Sequence, residues 1–205
     1  KNNLKYLRSE LFEISNFISH KRKETAYELE TAIKHNLEQL NMPEIQFIVR
    51  IDSKVVEILE TGMDSCEFFI STNVGEELRP VIKVASGGEI SRIMLAVKMA
   101  LQSRDIVNTL VFDEIDLGIA GATAERVGTT IEKLAKSHQI LCITHLSQIA
   151  GKGNTHFKVS KHLKQDRMIV KIYKLSHSDR ISEIATLFSG YNVTESSRKQ
   201  AQELL

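Results

Sequence analysis

The chain is poor in the features that mark secreted, membrane and disulfide-stabilised proteins. It has two cysteines, two prolines and no tryptophan among 205 residues. Cys66 and Cys142 are far apart and form no disulfide framework, and Cys142, inside an apolar run, is expected to be a small core residue. No apolar run approaches the roughly 20 residues of a transmembrane helix, and no signal peptide opens the chain. These absences favour a cytoplasmic protein without a membrane partner.

Neither sign of charge dominates the composition. The chain has 27 Lys and Arg against 26 Asp and Glu, for a formal net charge of +1, so the overall charge does not indicate a polyanionic partner. Its length allows one well-buried domain with an appendage. Because the first residue is Lys1 rather than Met, we expect the sequence to be a piece of a larger protein.

Two apolar stripes with helical spacing occupy the first 40 residues. The first has a coiled-coil pattern over two heptads, and the second is one residue out of register with it. We therefore expect a helix that kinks or changes neighbours near residues 19–25 and stops before Pro43. The first stripe is typical of a helical hairpin or of a coiled-coil base, and the second of a helix packed on its own domain. The stripes are Leu4, Leu7, Leu11, Ile14 and Ile18, then Ala26, Leu29, Ile33 and Leu40.

Strand patterns follow the helix. Residues 45–51 alternate between apolar and mostly polar side chains, which predicts a strand with one apolar face, and further short strands are predicted at 55–59 and 67–71. After residue 108 the pattern changes to continuous apolar runs at 109–112 and 139–143, which are typical of fully buried parallel strands, with a helix predicted between them at 122–136. We therefore predict an α/β fold in which an antiparallel region precedes a parallel one.

A glycine-containing turn precedes the most regular helix. Ser86 is a good N-cap, and Gly87 and Gly88 lack a Cβ, so another molecule's atoms can approach their backbone closely. The apolar helix that follows would place its N-terminus at this turn and provide an anion site suited to phosphate. An ordinary glycine turn before a core helix explains the segment equally well.

Polar residues end both apolar runs. Asp113 and Glu114 follow the first, and Thr144 and His145 follow the second. Two acids at a strand's carboxyl end suit a magnesium nucleotide, with one carboxylate organising the metal and the other the attacking water. A buried strand ending in unpaired acids would otherwise be costly. The alternatives are a structural salt bridge for the acids and a hydrogen-bonded core residue for His145.

In this order and at these intervals, the motifs resemble the C-terminal half of an ABC-type ATPase head. More closely, they resemble the RecN family of bacterial SMC-like DNA-repair ATPases, over nearly the whole chain from about residue 20. The segments that carry the resemblance are 69–73, 85–96, 113–119, 143–146, 156–157 and 159–161. The resemblance implies the C-terminal lobe of an SMC-like head (43–205) preceded by a coiled-coil base and entry helix (1–42).

The resemblance also implies roles for individual residues. Asp113 would be the Mg²⁺ partner in the Walker B strand, Glu114 the catalytic glutamate and His145 the switch histidine. The signature motif, Ser86, Gly87, Gly88 and Glu89, would hold the phosphate of ATP bound to the opposing subunit. The D-loop, 117–121, would cross to that subunit. Many ABC heads have an acid where this chain has Ala120. Asp116 could take over part of the role of that acid, and the alternative is that Asp116 is a solvated loop acid or a local turn acceptor.

One element of a complete ATPase is absent from the sequence. No Gly-Lys-Ser or Gly-Lys-Thr occurs, so there is no P-loop. By the resemblance, the Walker A loop belongs to an N-terminal half of the head, and the chain alone is expected to be nearly inert. The implied partners are that half, a second head in a homodimer, and DNA, in a nucleoid-associated protein of double-strand break repair and recombination. The alternatives are a nucleotide-binding domain of another ABC or SMC ATPase, including a transporter, and a non-hydrolysing DNA clamp or scaffold.

A basic segment occupies residues 152–174. It contains seven Lys or Arg and one acid, and two strands of a hairpin are predicted at 155–161 and 168–175. The charges are typical of an edge protected against aggregation. Contact with a phosphate backbone is the alternative. Helices near 179–188 and after the predicted N-cap Thr194 complete the predicted fold.

Overall fold

A computed structural model describes residues 2–54, 58–73, 75–83, 87–102, 104–164, 167–190 and 192–205. Part of the predicted strand at 55–59, and Ser86, lie outside the described residues. The helices are α1 (Asn2–Gln39), α2 (Gly87–Leu101), α3 (Gly121–Leu134), α4 (Ser147–Ala150), α5 (His177–Ser189) and α6 (Glu195–Glu203). The strands are β1 (Gln46–Ser53), β2 (Asp64–Ser71), β3 (Arg79–Pro80), β4 (Thr109–Phe112), β5 (Gln139–Cys142), β6 (Phe157–Lys164) and β7 (Arg167–Lys174).

The chain divides into two compact units. The first comprises residues 1–86 and 96–101, and the second comprises 87–95 and 102–205. Helix α2 therefore contributes its first nine residues to the second unit and its last six to the first. The predicted boundary between residues 42 and 43 stays a prediction.

Helix α1 is one continuous α-helix of 38 residues that runs through residues 19–25. Its neighbours do change there. Leu4, Leu7, Leu11 and Ile14 of the first stripe are exposed, whereas Ala26, Ile33 and Leu40 of the second are buried. The helix thus passes from a mostly exposed first stripe to a largely buried second one, and its first buried residues, Ser15 and Ser19, lie at or just before the register shift.

A polar network joins α1 to the strands of the first unit. The carboxylate of Asp64, which is only 1 % exposed, accepts hydrogen bonds from Arg22 at 3.0 Å and Ser53 at 2.8 Å. Arg22 also donates to the carbonyl oxygen of Thr61 at 2.7 Å. Burial raises the pKa of Asp64, but hydrogen bonds from Ser53, Ser19 and Arg22 outweigh it and hold the pKa below its ordinary value.

The predicted antiparallel region is confirmed. Strands β1, β2 and β3 form one antiparallel sheet in that order, with Gln46 paired with Ser71 and Ser53 with Asp64. Ile45, Phe47 and Val49 are buried, as their alternation predicted.

Strands β4 and β5 pair in parallel, as predicted, but they are not fully buried. Leu110 and Phe112 are buried, whereas Val111 is 66 % and Leu141 50 % exposed. A parallel strand is covered on both faces only when layers pack on both sides of the sheet. This two-stranded sheet is covered on one face alone within the described residues.

Strands β6 and β7 form the predicted hairpin, as a two-stranded antiparallel ribbon. Helices α5 and α6 pack together through Ile184, Ala185 and Ala201. The predicted cap at Thr194 is confirmed, because its side chain accepts from the backbone N–H of Ser197 in a capping box.

Candidate nucleotide site

Asp113, the predicted Mg²⁺ partner, and Glu114, the predicted catalytic glutamate, stand at the carboxyl end of β4, and both are exposed. The Oδ1 of Asp113 accepts a hydrogen bond from the backbone N–H of Glu114 at 2.9 Å. The expectation that the acids end a fully buried strand is therefore wrong. Since water still solvates both carboxylates, they need no compensating charge inside the chain and are accessible to a ligand.

The backbone turns sharply immediately after β4, in residues 113–117, which we call the acidic turn. Glu114 has φ 55°, and Asn41 is the other non-glycine residue with positive φ in the described ranges. That conformation costs an ordinary side chain about 1–2 kcal/mol. The N–H of Leu117 donates to the carbonyl oxygen of Glu114 at 3.1 Å, and Gly118, with φ 75°, continues the turn. The predicted catalytic glutamate thus occupies a strained position, a feature that clusters at functional sites.

The signature glycines pack against the acidic turn. A Cβ added to Gly87 would overlap Oε2 of Glu114. A Cβ added to Gly88 would lie 2.8 Å from Cβ of Leu117 and 3.0 Å from the carbonyl oxygens of Glu114 and Leu117. The sequence interpretation assigned the missing side chains to the approach of another molecule, whereas here the chain's own turn makes the close approach. Glu89 is half-buried, and Ser86 lies outside the described residues.

Two further residues of α2 hold the acidic turn, and sequence reasoning assigned neither a role. The hydroxyl of Ser91 donates to the carbonyl oxygen of Asp113 at 2.8 Å. The buried guanidinium of Arg92 donates to the carbonyl oxygens of Ile115 at 3.2 Å and Leu117 at 2.8 Å. Burial lowers the pKa of Arg92, although the charge of Glu89 opposes the shift. The signal available in the sequence was an arginine at position 92, near the start of an otherwise mostly apolar helix.

Asp116 joins His145, the predicted switch histidine, to the same turn. Its Oδ2 accepts hydrogen bonds from the Thr144 hydroxyl at 2.6 Å and the His145 backbone N–H at 2.8 Å, and lies 2.9 Å from Nδ1 of His145. Asp116 is only 4 % exposed, whereas the His145 side chain is 70 % exposed. Asp116 is therefore neither a solvated loop acid nor a local turn acceptor, because its partners lie 28 and 29 residues away in sequence.

The acidic turn therefore contacts both other motifs. Gly87 and Gly88 lie against it on one side, and His145 is joined to it through Asp116. Ala120 is the extended residue before α3 and makes no side-chain cap, so it supplies no acid or acceptor there.

The local charge favours a nucleotide that carries a cation. Burial raises the pKa of the Cys142 thiol to about 12, and the negative charges of Asp116 and Asp113 add to the shift. The same charges repel a bare phosphate. No cluster of three metal-ligating side chains occurs in the described residues. Mg²⁺ is commonly held by one or two carboxylates together with substrate phosphates, so the exposed carboxylate of Asp113 fits it.

None of the described helices is both long enough and apolar enough to cross a membrane.

No family model matches the chain. It is 40 % identical over 180 residues to the DNA repair protein RecN of Vibrio cholerae, covering 88 % of this chain and 32 % of the relative. It is 37 % identical over 202 residues to RecN of Bacillus subtilis, covering 92 % of this chain and 35 % of the relative. The chain thus spans about a third of the length of the curated relatives it matches.

Solved SMC structures share the fold. The Smc head domain of Pyrococcus yayanosii, crystallised with a coiled coil and joint, matches with TM-score 0.59 and 19 % identity over 89 % of this chain and 34 % of that chain. A structure from a study of ATP-driven dimerization and DNA stimulated activation of SMC ATPases matches with TM-score 0.51 and 17 % identity. That match covers 85 % of this chain and 99 % of the other. The chain is therefore a RecN homologue, with the mixed α/β fold and long N-terminal helix of an SMC head domain with a coiled coil.

Proposed function

We propose that this chain is the C-terminal half of the head of a DNA-repair ATPase that hydrolyses ATP where two heads meet. The observation that carries the proposal is the acidic turn, which lies against Gly87 and Gly88 and is joined to His145 through Asp116. Residues suited to metal binding, water activation and phosphate contact thus converge on five consecutive residues of backbone. An ordinary glycine turn would not require that convergence.

Each site residue has a separate task in this proposal. Asp113 holds Mg²⁺, directly or through water, and bound Mg²⁺ would neutralise negative charge on the ATP phosphates. Glu114 orients or deprotonates the attacking water, and because Glu114 is exposed, water can reach its carboxylate. His145 contacts the γ-phosphate. The signature residues, Ser86 to Glu89, face the phosphates of ATP held by the opposing head.

The exposed apolar face of the β4–β5 sheet supports an N-terminal half of the head as partner. Val111, Leu141 and Ile143 are each at least half exposed, although the runs that contain them have the composition of covered strands. The β6–β7 ribbon has a second such face, on which six large apolar side chains are exposed. They are Phe157, Val159, Leu163, Met168, Val170 and Ile172. Surfaces of this kind mark interaction sites, and the missing half would supply both the cover and the Walker A loop.

The exposed first stripe of α1 supports a coiled-coil arm. Leu4, Leu7, Leu11 and Ile14 are all exposed at a and d spacing, which suits a partner helix in a coiled coil. Residues 1–42 would then form the arm base and entry helix, and 43–205 the C-terminal lobe. We extend the proposal to action on DNA at double-strand breaks and in recombination, in a nucleoid-associated cytoplasmic protein, on the basis of the homology to RecN.

The test replaces Glu114 by Gln in the complete protein. The change keeps the shape of the side chain but removes the base, and positioned acid–base groups typically contribute about 10²- to 10⁴-fold to rate. The rate of single-turnover hydrolysis should fall by that factor, while nucleotide binding should persist because Asp113 is intact. In the presence of ATP, a sizing measurement should show that two heads stay associated. The matched control, Glu132→Gln, changes an exposed acid on α3. Turnover by Glu114→Gln at the control's rate would refute the assignment.

A further inference from the structure

Asp116 is a buried carboxylate with no task in the site as proposed, and it contacts His145 twice and Thr144 once. A single oxygen, Oδ2, lies within 2.9 Å of the Thr144 hydroxyl, the His145 backbone N–H and His145 Nδ1. Hydrogen bonds to an ionised acceptor are about twice as strong as those between neutral groups. Asp116 therefore fixes both the backbone at residue 145 and the rotation of the imidazole ring.

The contact also distinguishes the two ring nitrogens of His145. Because Nδ1 faces the carboxylate, it carries the proton of that hydrogen bond, and Nε2 has no hydrogen-bond partner among the described residues. The side chain is 70 % exposed, so Nε2 is accessible to a ligand. When the ring carries both protons, Nε2 is a donor suited to a phosphate oxygen.

We propose that Asp116 is a positioning residue for hydrolysis, which holds His145 so that Nε2 meets the γ-phosphate. The inference rests on the proposed function, since it assumes that His145 touches ATP. Asp116 acts on hydrolysis only through the His145 ring, and its bond to Thr144 helps to hold the backbone that carries that ring. Its position in the acidic turn means that the histidine is held by the same backbone segment that carries Asp113 and Glu114.

The test is a double-mutant cycle in the complete protein, with Asp116→Asn, His145→Ala and the pair combined. His145→Ala should lower kcat by about 10²- to 10³-fold, the typical loss of one transition-state donor. Asp116→Asn keeps the shape but removes the charge and should lower kcat by about 10- to 100-fold, with KM changed by less than about threefold. In the His145→Ala background, Asp116→Asn should change kcat by less than about twofold, because its only route of action is gone.

Two comparisons separate positioning from a loss of folding. Asp52→Asn makes the same substitution at an exposed acid of β1 and should leave kcat unchanged. Thr144→Ser, which keeps the hydroxyl that donates to Asp116, should lose less activity than Thr144→Val. A purely structural role for Asp116 would instead lower kcat equally in both His145 backgrounds.

The results also separate this inference from the proposed function. If Glu114→Gln and His145→Ala lower turnover while Asp116→Asn leaves it unchanged, the inference is overturned and the proposed function stands. Additive losses from Asp116→Asn and His145→Ala overturn it in the same way. If neither Glu114→Gln nor His145→Ala lowers hydrolysis, both proposals fail together.

Discussion

Adding one methyl group at Gly88 tests the packing of the signature motif on the acidic turn. The new Cβ would meet three atoms at 2.8–3.0 Å, and two of them are backbone carbonyl oxygens that cannot swing away. One of these, on Glu114, accepts from the N–H of Leu117, and the other, on Leu117, accepts from Arg92. Relief of the overlap must therefore shift the turn that carries Asp113 and Glu114.

The magnitude follows from two opposing terms. Overpacking a filled site typically costs about 1–3 kcal/mol. Replacing glycine by alanine returns up to about 1 kcal/mol by restricting the unfolded chain. Gly153→Ala is the matched control, since its nearest neighbour would lie 3.5 Å away, an ordinary contact. Both variants gain the entropic term, so Gly88→Ala should be less stable than Gly153→Ala by the overpacking cost, about 1–3 kcal/mol.

Hydrogen exchange of the complete protein is the appropriate assay, because a large protein need not unfold in one transition. Peptides that cover residues 113–121 should exchange about 5- to 150-fold faster in Gly88→Ala than in Gly153→Ala, which is the same free-energy difference expressed as local opening. Single-turnover hydrolysis should fall in parallel. Equal exchange in the two variants would refute the packing argument, and the glycines would then be explained by ligand approach alone.

Two further predictions concern sites away from the acidic turn. The pKa of Asp64 is held below its ordinary value, so its contribution to stability is present above the unfolded-state pKa of about 3.9 and is lost as pH falls through the folded-state pKa. Asp64→Asn should therefore be less stable than wild type at neutral pH and should lose less stability below about pH 4, as measured by circular dichroism during acid titration. The same loss of stability at low pH in both proteins would contradict this. The second prediction concerns the basic charges of the β6–β7 ribbon, which either contact DNA phosphates or protect a sheet edge against aggregation. The register of the ribbon places Arg167 and Lys171 on one face, and Lys161 on the other face among the apolar side chains. If these charges contact DNA phosphates, the double variant Arg167→Gln with Lys171→Gln should lower the slope of log binding constant against log salt concentration by about two, and Lys161→Gln should leave that slope unchanged. Equal slopes in wild type and both variants would assign the charges to edge protection.

The elements that could be predicted from sequence are those whose pattern is local. Alternation at residues 45–51 predicted the buried face of β1, because a strand with one covered face has a period of two. The register shift between the stripes of α1 predicted where its neighbours change. The hairpin β6–β7 and the cap at Thr194 were likewise evident from neighbouring residues.

The features that could not be predicted depend on partners distant in sequence. Asp116 has the composition of a loop acid, and only the approach of residues 144 and 145 makes it a buried acceptor. The continuous apolar run at 109–112 predicted a strand covered on both faces, whereas coverage depends on layers that these residues do not encode. The roles predicted for Asp113, Glu114, His145 and the signature motif stay predictions.

The conformation of the acidic turn is imposed by its surroundings rather than by its own sequence. Glu114 at φ 55° costs about 1–2 kcal/mol, and a strained residue persists only where other contacts over-determine it. Five hydrogen bonds reach residues 113–117 from Ser91, Arg92, Thr144 and His145, two of them from Arg92. At about 0.5–1.5 kcal/mol each, they contribute roughly 2.5–7.5 kcal/mol together and outweigh the strain. Because the bonds come from both α2 and the end of β5, the position of Glu114 is fixed jointly by the segments that carry the signature and the switch histidine.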